Sequence, residues 1–188
     1  MRVLFLSSVY PHHSARVRGT YNAELCRALA EHVDIEVVAP FSWTEALRKW
    51  RTWRASGRAA FRDDSSEVST TWPAYFYPPG ICRASYGRWM WQSIRRHVRR
   101  ITDKRKPDWV LSYWAHPDGA AGLQAARSTG AKSGVIIGGS DVLILTDHPG
   151  RRAAIVKVLT ESDAVFTVCD GLRDRVIELG ASPERVHT

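Results

Sequence analysis

Asp108-Trp-Val-Leu-Ser-Tyr-Trp-Ala-His-Pro-Asp-Gly-Ala-Ala-Gly122 decides how this chain folds. Val110 and Leu111 close a short apolar run behind Pro107, as in an interior strand of a parallel sheet covered on both faces. Tyr113, Trp114, His116 and Asp118 follow at once, where an open α/β sheet places its ligands, just past the carboxyl end of a strand. Small residues then lead into a helix over Asp118 to Ser128. Asp118 either caps that helix or faces a ligand, since Pro117-Asp118-Gly119 is also an ordinary turn. A helix cap does not explain His116, and its position favours a functional role.

Working outward, the same alternation appears on both sides. Arg2-Val-Leu-Phe-Leu-Ser7 reads as a central strand, opening into a polar loop from Ser8 to Arg18 that contains Tyr10. Gly19-Thr20-Tyr21-Asn22 starts a helix in which Leu25, Ala28, Leu29 and Val33 recur at helical spacing. Asp34 to Pro40 is a second strand. Downstream come a strand at Gly134–Ile137, a turn Gly138-Gly139-Ser140-Asp141 and a helix over Arg151 to Leu159. A strand at Ala164–Val168, a helix over Gly171 to Leu179 capped by Asp170, and a strand begun at Pro183 complete the series. This succession predicts an α/β fold: a doubly wound, mostly parallel sheet of about seven strands in one domain over 1–188.

The middle, about 41–106, breaks the pattern as an irregular basic insertion. Phe41 to Arg54 predicts a helix bearing Trp43, Leu47, Trp50 and Trp53, and Arg62 to Glu67 an exposed loop. Ala74–Tyr77 predicts a short strand. Ser85 to Thr102 predicts a helix with Trp89, Met90, Ile94, Val98 and Ile101 on its apolar stripe. The net charge of +8 is concentrated in 42–62 and 83–106, and without them the balance is about neutral or acidic. Such a face suits an anionic partner: a lipid surface, a phosphorylated acceptor or nucleic acid. It equally suits a solvated helix face or an oligomer contact.

Several classes drop out. Apolar runs are too short for a membrane-spanning helix. Cys26, Cys82 and Cys169 lack metal-type spacing, fitting a reducing, cytoplasmic compartment with no metal or cofactor. No nucleophile, base and acid set stands at a hydrolase spacing. No nucleic-acid reading motif is present, so nucleic acid is not an expected partner. A non-catalytic basic module binding nucleotide or nucleic acid is the alternative to an enzyme.

Four strand ends converge on one sheet edge: Ser8 to Thr20, Tyr113 to Gly119, Gly138 to Asp141 and Cys169 to Arg173. Gly19 at a helix N-terminus is either a plain helix-start glycine or a seat for an anion such as a diphosphate, with Arg16 or Arg18 adding charge. No dinucleotide fingerprint or Walker pattern accompanies it. The two glycines before Ser140 permit close backbone approach, and Asp141 is able to accept hydrogen bonds from sugar hydroxyls or to cap a helix.

The opening Arg2 to Pro11, the Gly19-Thr-Tyr-Asn start, Tyr113-Trp-Ala-His-Pro-Asp-Gly119, Gly139-Ser-Asp141, Ser162 to Cys169 and Gly180-Ala-Ser-Pro-Glu-Arg-Val186 together resemble the N-terminal domain of GT-B-fold, retaining glycosyltransferases of family four. The Tyr-Trp-Ala-His-Pro-Asp-Gly run looks most like the branch that makes teichuronic acid and other bacterial surface polysaccharides. The resemblance implies an acceptor-side half of a two-domain enzyme, with the nucleotide-sugar domain absent from this chain and little activity in isolation. The nucleotide-sugar is then a co-substrate, and the acceptor is lipid-linked or a glycan. The resemblance implies that Gly19, flanked by Arg18 and Thr20, meets the donor diphosphate. It implies catalytic positions for His116, which would orient the donor sugar, and Asp141. Tyr10, Tyr113, Trp114, Asp118, Gly139, Ser140 and Arg173 are the expected acceptor and sugar contacts. The basic, tryptophan-bearing middle then gains a candidate purpose in docking to the anionic inner face of the plasma membrane.

Overall fold

The computed structural model describes residues 1–12, 15–45, 47 and 68–188. Chain order gives β1 (Arg2–Leu6), α1 (Thr20–Ala30), β2 (Asp34–Val38), β3 (Phe41–Ser42), β4 (Ser69–Thr71), β5 (Ala74–Tyr75), α2 (Tyr86–Thr102) and β6 (Trp109–Tyr113). It continues with α3 (Ala120–Thr129), β7 (Lys132–Ile136), α4 (Ser140–Leu143), α5 (Pro149–Glu161), β8 (Ala164–Phe166), α6 (Asp170–Glu178) and β9 (Val186–His187). Seven strands form one sheet in the order β4-β2-β1-β6-β7-β8-β9, and every neighbouring pair is parallel. β3 and β5 pair separately. The order runs outward from β1 to β4 on one side and from β6 to β9 on the other, so the direction of winding reverses between β1 and β6.

β1 shows why a doubly wound sheet needs apolar residues on both faces. Val3 and Phe5 pack towards α1 and Cys26, while Leu4 and Leu6 pack towards α2 and α3 with Met90, Ile94 and Val98. Met90, Ile94 and Val98 recur every four residues, so α2 presents one continuous stripe, and all three are fully buried. Burying each of these side chains contributes roughly 1.5–3 kcal/mol. Ala121, Ala125 and Ala126 keep α3 thin enough to lie directly on the sheet.

Physical reasons separate several expectations from the result. β6 is not covered on both faces: Val110 and Ser112 are buried, whereas Trp109, Leu111 and Tyr113 are half-exposed. Right-handed crossovers place α3 and α5 on the same face, while α1, whose strands wind the other way, covers only the β1–β2 side of the opposite face. The uncovered remainder is a shallow apolar trough of about 170 Å³ lined by Leu29, Trp109, Leu111 and Phe166. On α1 the buried positions are Asn22 and Cys26, and Ala28 faces solvent. On α2 Trp89 turns outward, 41% exposed, because its ring packs against Phe76 beside the stripe and not within it. Phe41 and Ser42 form a strand paired with Ala74 and Tyr75, and the expected helix begins only after them, at Trp43, with Trp43, Thr44, Glu45 and Leu47 helical. Asp170 does not cap α6: Cys169 holds that position, with no side-chain cap. Trp50, Trp53, the arginines of 48–62 and the loop at 62–67 lie outside the described residues.

Candidate active site

A doubly wound sheet leaves a crevice at the carboxyl ends of its strands where the winding reverses, here between β1 and β6, and the chain leaves each of these strands by an unusual path. After β1, the Ser8 backbone N–H and hydroxyl both donate to the Asp118 carboxylate, the latter at 3.0 Å. The Asn22 side-chain amide donates to the Val9 carbonyl at 2.6 Å, drawing the loop onto α1. Gly19 then adopts φ +71°, and a Cβ built there would lie 2.3 Å from the Val9 carbonyl oxygen. Only glycine tolerates both that conformation and that approach. The turn thereby starts α1 beside the loop that leaves β1, with no acidic residue in that first turn and no side-chain cap, so the first N–H groups of the helix keep no side-chain partner.

After β6, Trp114 takes φ +76° and ψ 133°, a region L-residues rarely enter, which marks strain held by its surroundings. Those surroundings are visible. A Cβ on Gly138 would fall 2.2 Å from the Trp114 indole nitrogen and 2.9 Å from the Tyr113 hydroxyl, so both rings rest against a bare backbone. The Asp141 carboxylate accepts from the Ala115 N–H and the Gly139 N–H, each at 2.9 Å, tying the turn after β7 to the turn after β6. Burial raises the Asp141 carboxyl above the usual carboxylate range, opposed by these hydrogen bonds. The His116 Nε2 lies 3.2 Å from the Ala84 carbonyl oxygen. A carbonyl only accepts, so Nε2 carries the proton, and burial lowers the imidazole's pKa to about 4, leaving it neutral at physiological pH.

Beside Ser8 lies a hollow of about 290 Å³ whose lining includes Arg18, Thr44, Glu45, Tyr75 and Tyr77. Arg18 pairs with Glu45 at 3.4 Å. Burial, and next the Asp118 charge, raises the Tyr75 phenol, which therefore stays protonated as a hydrogen-bond donor. The half-exposed Tyr21 ring packs at a tilt of 51° against Tyr113 with ring centroids 5.2 Å apart, joining the start of α1 to the end of β6. Burial, then the Tyr21 hydroxyl, raises the Tyr113 phenol.

Residues 19–188 match the family described as Glycosyl transferase 4-like domain. The chain belongs to that family. Its fold is shared with UDP-GlcNAc 2-epimerase from Neisseria meningitidis bound to UDP-GlcNAc, at 15% identity and TM-score 0.60, covering 99% of this chain and 45% of the epimerase. It is shared also with the lipopolysaccharide outer core galactosyltransferase WaaB in its apo form (10% identity, TM-score 0.57, 100% of this chain and 45% of WaaB). A third is Anabaena Alr3699/HepE in complex with UDP and glucose (14% identity, TM-score 0.58, 100% and 43%). The chain thus spans less than half the length of these proteins. No curated protein matches it significantly.

In this glycosyl transferase 4-like domain the expected site residues differ in where the fold places them. Arg18, Thr20, Tyr113, Trp114 and Ser140 are exposed or partly exposed at the carboxyl edge of the sheet, Gly19 is buried in the turn between Arg18 and Thr20, and Arg173 lies exposed on α6, past the end of β8. His116, Asp118, Gly139 and Asp141 are brought to the same edge but buried beneath it, with His116 1% exposed and both carboxylates 0%. The side chains of His116, Asp118 and Asp141 bond to the backbone of neighbouring turns at Ala84, Ser8 and Ala115. Tyr10 is corrected outright: it is a core residue packed against Phe5 at 6.4 Å, its phenol pushed up to about 12 by burial. Ser8, Tyr21, Glu45, Tyr75 and Tyr77 had not been singled out. A signal existed for the tyrosines, since alternate residues of an extended segment share a face and Ala74-Tyr-Phe-Tyr77 places Tyr75 and Tyr77 together.

Proposed function

We propose that this chain is the acceptor-side domain of a retaining glycosyltransferase that moves a sugar from a nucleotide-sugar to a lipid-linked or glycan acceptor in cell-surface polysaccharide synthesis, in the teichuronic acid branch. The observation that carries this reading is the uncapped N-terminus of α1, set by Gly19 against the Val9 loop that leaves β1. N–H groups and a helix dipole suit the donor diphosphate, and Arg18, next to Gly19 in the chain, adds positive charge to this region. Family membership supports the transferase chemistry, and the UDP carried by two proteins of the same fold supports a uridine nucleotide. The hollow at Ser8, Tyr75 and Tyr77 supplies hydroxyl donors and aromatic faces for an acceptor.

In this reading a second domain closes over the crevice, the sugar–phosphate bond opens with oxocarbenium-like character, and the acceptor hydroxyl enters on the same face. Catalysis rests on positioning and on stabilising the departing diphosphate. Asp118, Asp141 and His116 contribute by holding the turns that carry Ser8, Trp114 and Ala84. Titration of the 188-residue chain with UDP-GlcNAc is expected to shift the Thr20 and Tyr21 amide resonances saturably, with about millimolar affinity. A radiolabelled-sugar assay on the same chain is expected to stay at background. Absent shifts at α1 would remove the donor assignment, and turnover by the chain alone would remove the need for a second domain.

The exposed face of α2 carries Arg95, Arg96, Arg99 and Arg100, with Trp89 and Phe76 near its N-terminal end. Among the described residues no helix is long and apolar enough to cross a membrane. The arrangement supports peripheral docking to an anionic cytoplasmic leaflet, where each arginine near the surface contributes about 1 kcal/mol. Replacing the four arginines by glutamine is expected to weaken co-sedimentation with phosphatidylserine-containing vesicles at least tenfold. Equal binding of the unaltered chain to neutral vesicles would defeat the electrostatic account.

A further inference from the structure

A second cavity, of about 400 Å³, opens on the outer helical face between α2, α3 and α5, and shares no lining residue with the hollow beside Ser8. Its volume falls within the roughly 300–1,000 Å³ of small-molecule sites. Ala120, Leu123 and Val158 form apolar lining, while Arg88, Gln92, Gln124 and Lys157 bring polar groups to it. No carboxylate lines the cavity, and neither Arg88 nor Lys157 forms an ion pair with a described residue. Two cations facing one partly enclosed space repel each other, and an anion between them reverses the sign of that interaction. The remaining lining is not that of a bare anion site. Trp91 brings a half-buried indole, and the two glutamines offer both donors and acceptors, the pair of functions that sugar hydroxyls require.

The walls are fixed in advance. The His116 imidazole holds the Ala84 carbonyl from inside the fold, and Ala84 and Ser85 form one side of the cavity. Arg151, at the start of α5, lies over the Tyr86 ring at 5.9 Å and braces the same turn. A site whose rim is held by a buried hydrogen bond loses less freedom when it binds.

We infer that this cavity is a binding site for an anionic saccharide, a pyranose bearing a phosphate or a carboxylate, separate from the crevice at the sheet edge. Arg88 and Lys157 take the anionic group, Gln92 and Gln124 the hydroxyls, and the Trp91 indole the ring face. The inference does not depend on the transferase reading.

The test uses the 188-residue chain and follows the Trp91 indole N–H and the Gln92 and Gln124 side-chain amide resonances during titration with glucose 1-phosphate, glucuronate, glucose and inorganic phosphate. At least one anionic sugar is expected to shift all three residues saturably, binding at least tenfold more tightly than glucose or inorganic phosphate. Binding by glucose 1-phosphate alone assigns a phosphorylated sugar, and binding by glucuronate alone assigns a uronate. Both charged residues are exposed, so Arg88→Ala/Lys157→Ala should keep the native circular dichroism while losing at least tenfold in affinity. Equal affinity for glucose, equal affinity for phosphate alone, unaltered binding by the double variant, or shifts confined to Thr20 and Tyr21 would each overturn the assignment. The last outcome would leave the donor site standing and remove only this one.

Discussion

Gly19→Val is expected to lower the stability of the chain by about 3–4 kcal/mol and to abolish the UDP-GlcNAc shifts at Thr20 and Tyr21. Two costs add at this position. The native φ of +71° is strained for a β-branched residue, about 1–3 kcal/mol. The new Cβ must also displace backbone rather than a mobile side chain, since it would lie 2.3 Å from the Val9 carbonyl oxygen and 2.8 Å from the Tyr10 nitrogen, an overpacking cost of about 1–3 kcal/mol. Against a total of roughly 5–15 kcal/mol, the loss is large enough to read from the midpoint of urea unfolding. Gly19→Ala keeps the strain with a smaller side chain and should fall between valine and the parent. A valine variant within about 1 kcal/mol of the parent, with nucleotide shifts intact, would show that the loop relocates freely and that Gly19 does not aim the helix.

The second large effect is a pair of opposed pH dependences from residues two apart in one turn. Burial, partly offset by the Ser8 hydrogen bonds, pushes the Asp118 carboxyl up to about 7 from 3.8. A folded pKa raised above the unfolded one means that the folded state holds the proton more tightly. Its contribution is complete below about pH 4 and is lost as pH rises through 7. The His116 imidazole is displaced the other way, from 6.5 to about 4. Its contribution is complete above about pH 6.5 and is lost as pH falls through 4. The Asp118 contribution amounts to about 4 kcal/mol and the His116 contribution to about 3 kcal/mol, and over pH 4–6.5 they largely cancel. The parent therefore conceals both, and difference profiles expose them. Parent stability minus that of Asp118→Asn should fall between pH 4 and 7, while parent minus His116→Gln should rise between pH 4 and 6.5. Asp141, raised in the same direction as Asp118, is present in every variant and drops out of each difference. A flat Asp118→Asn profile would mean that the carboxylate reaches solvent, reopening direct contact with ligand.

These two experiments bear on the part of the site that was hardest to read from residues alone. The run from Tyr113 to Gly119, the helix start at Gly19 and the turn from Gly138 to Asp141 were all recognisable as strand ends, because parallel strands, glycine-bearing turns and amphipathic helices leave local patterns. That they would share one edge followed from alternation of strand and helix. Whether a polar side chain at such an edge points out or in leaves no local pattern. His116, Asp118 and Asp141 each bind a backbone group contributed by another segment, 32, 110 and 26 residues away respectively. Tyr10 looked like a contact residue for the same reason, yet the loop folds its ring back onto Phe5.

Local pattern was sufficient for most of the elements, for the winding of a parallel sheet and for the edge where the strand ends gather, since hydrophobic period and turn chemistry act over a few residues. Side-chain direction at that edge, the open face of β6 and the cationic cavity between three helices emerged from packing. Each of these depends on groups far apart along the chain competing for the same buried hydrogen bonds and the same apolar cover, and that competition is resolved when the layers meet.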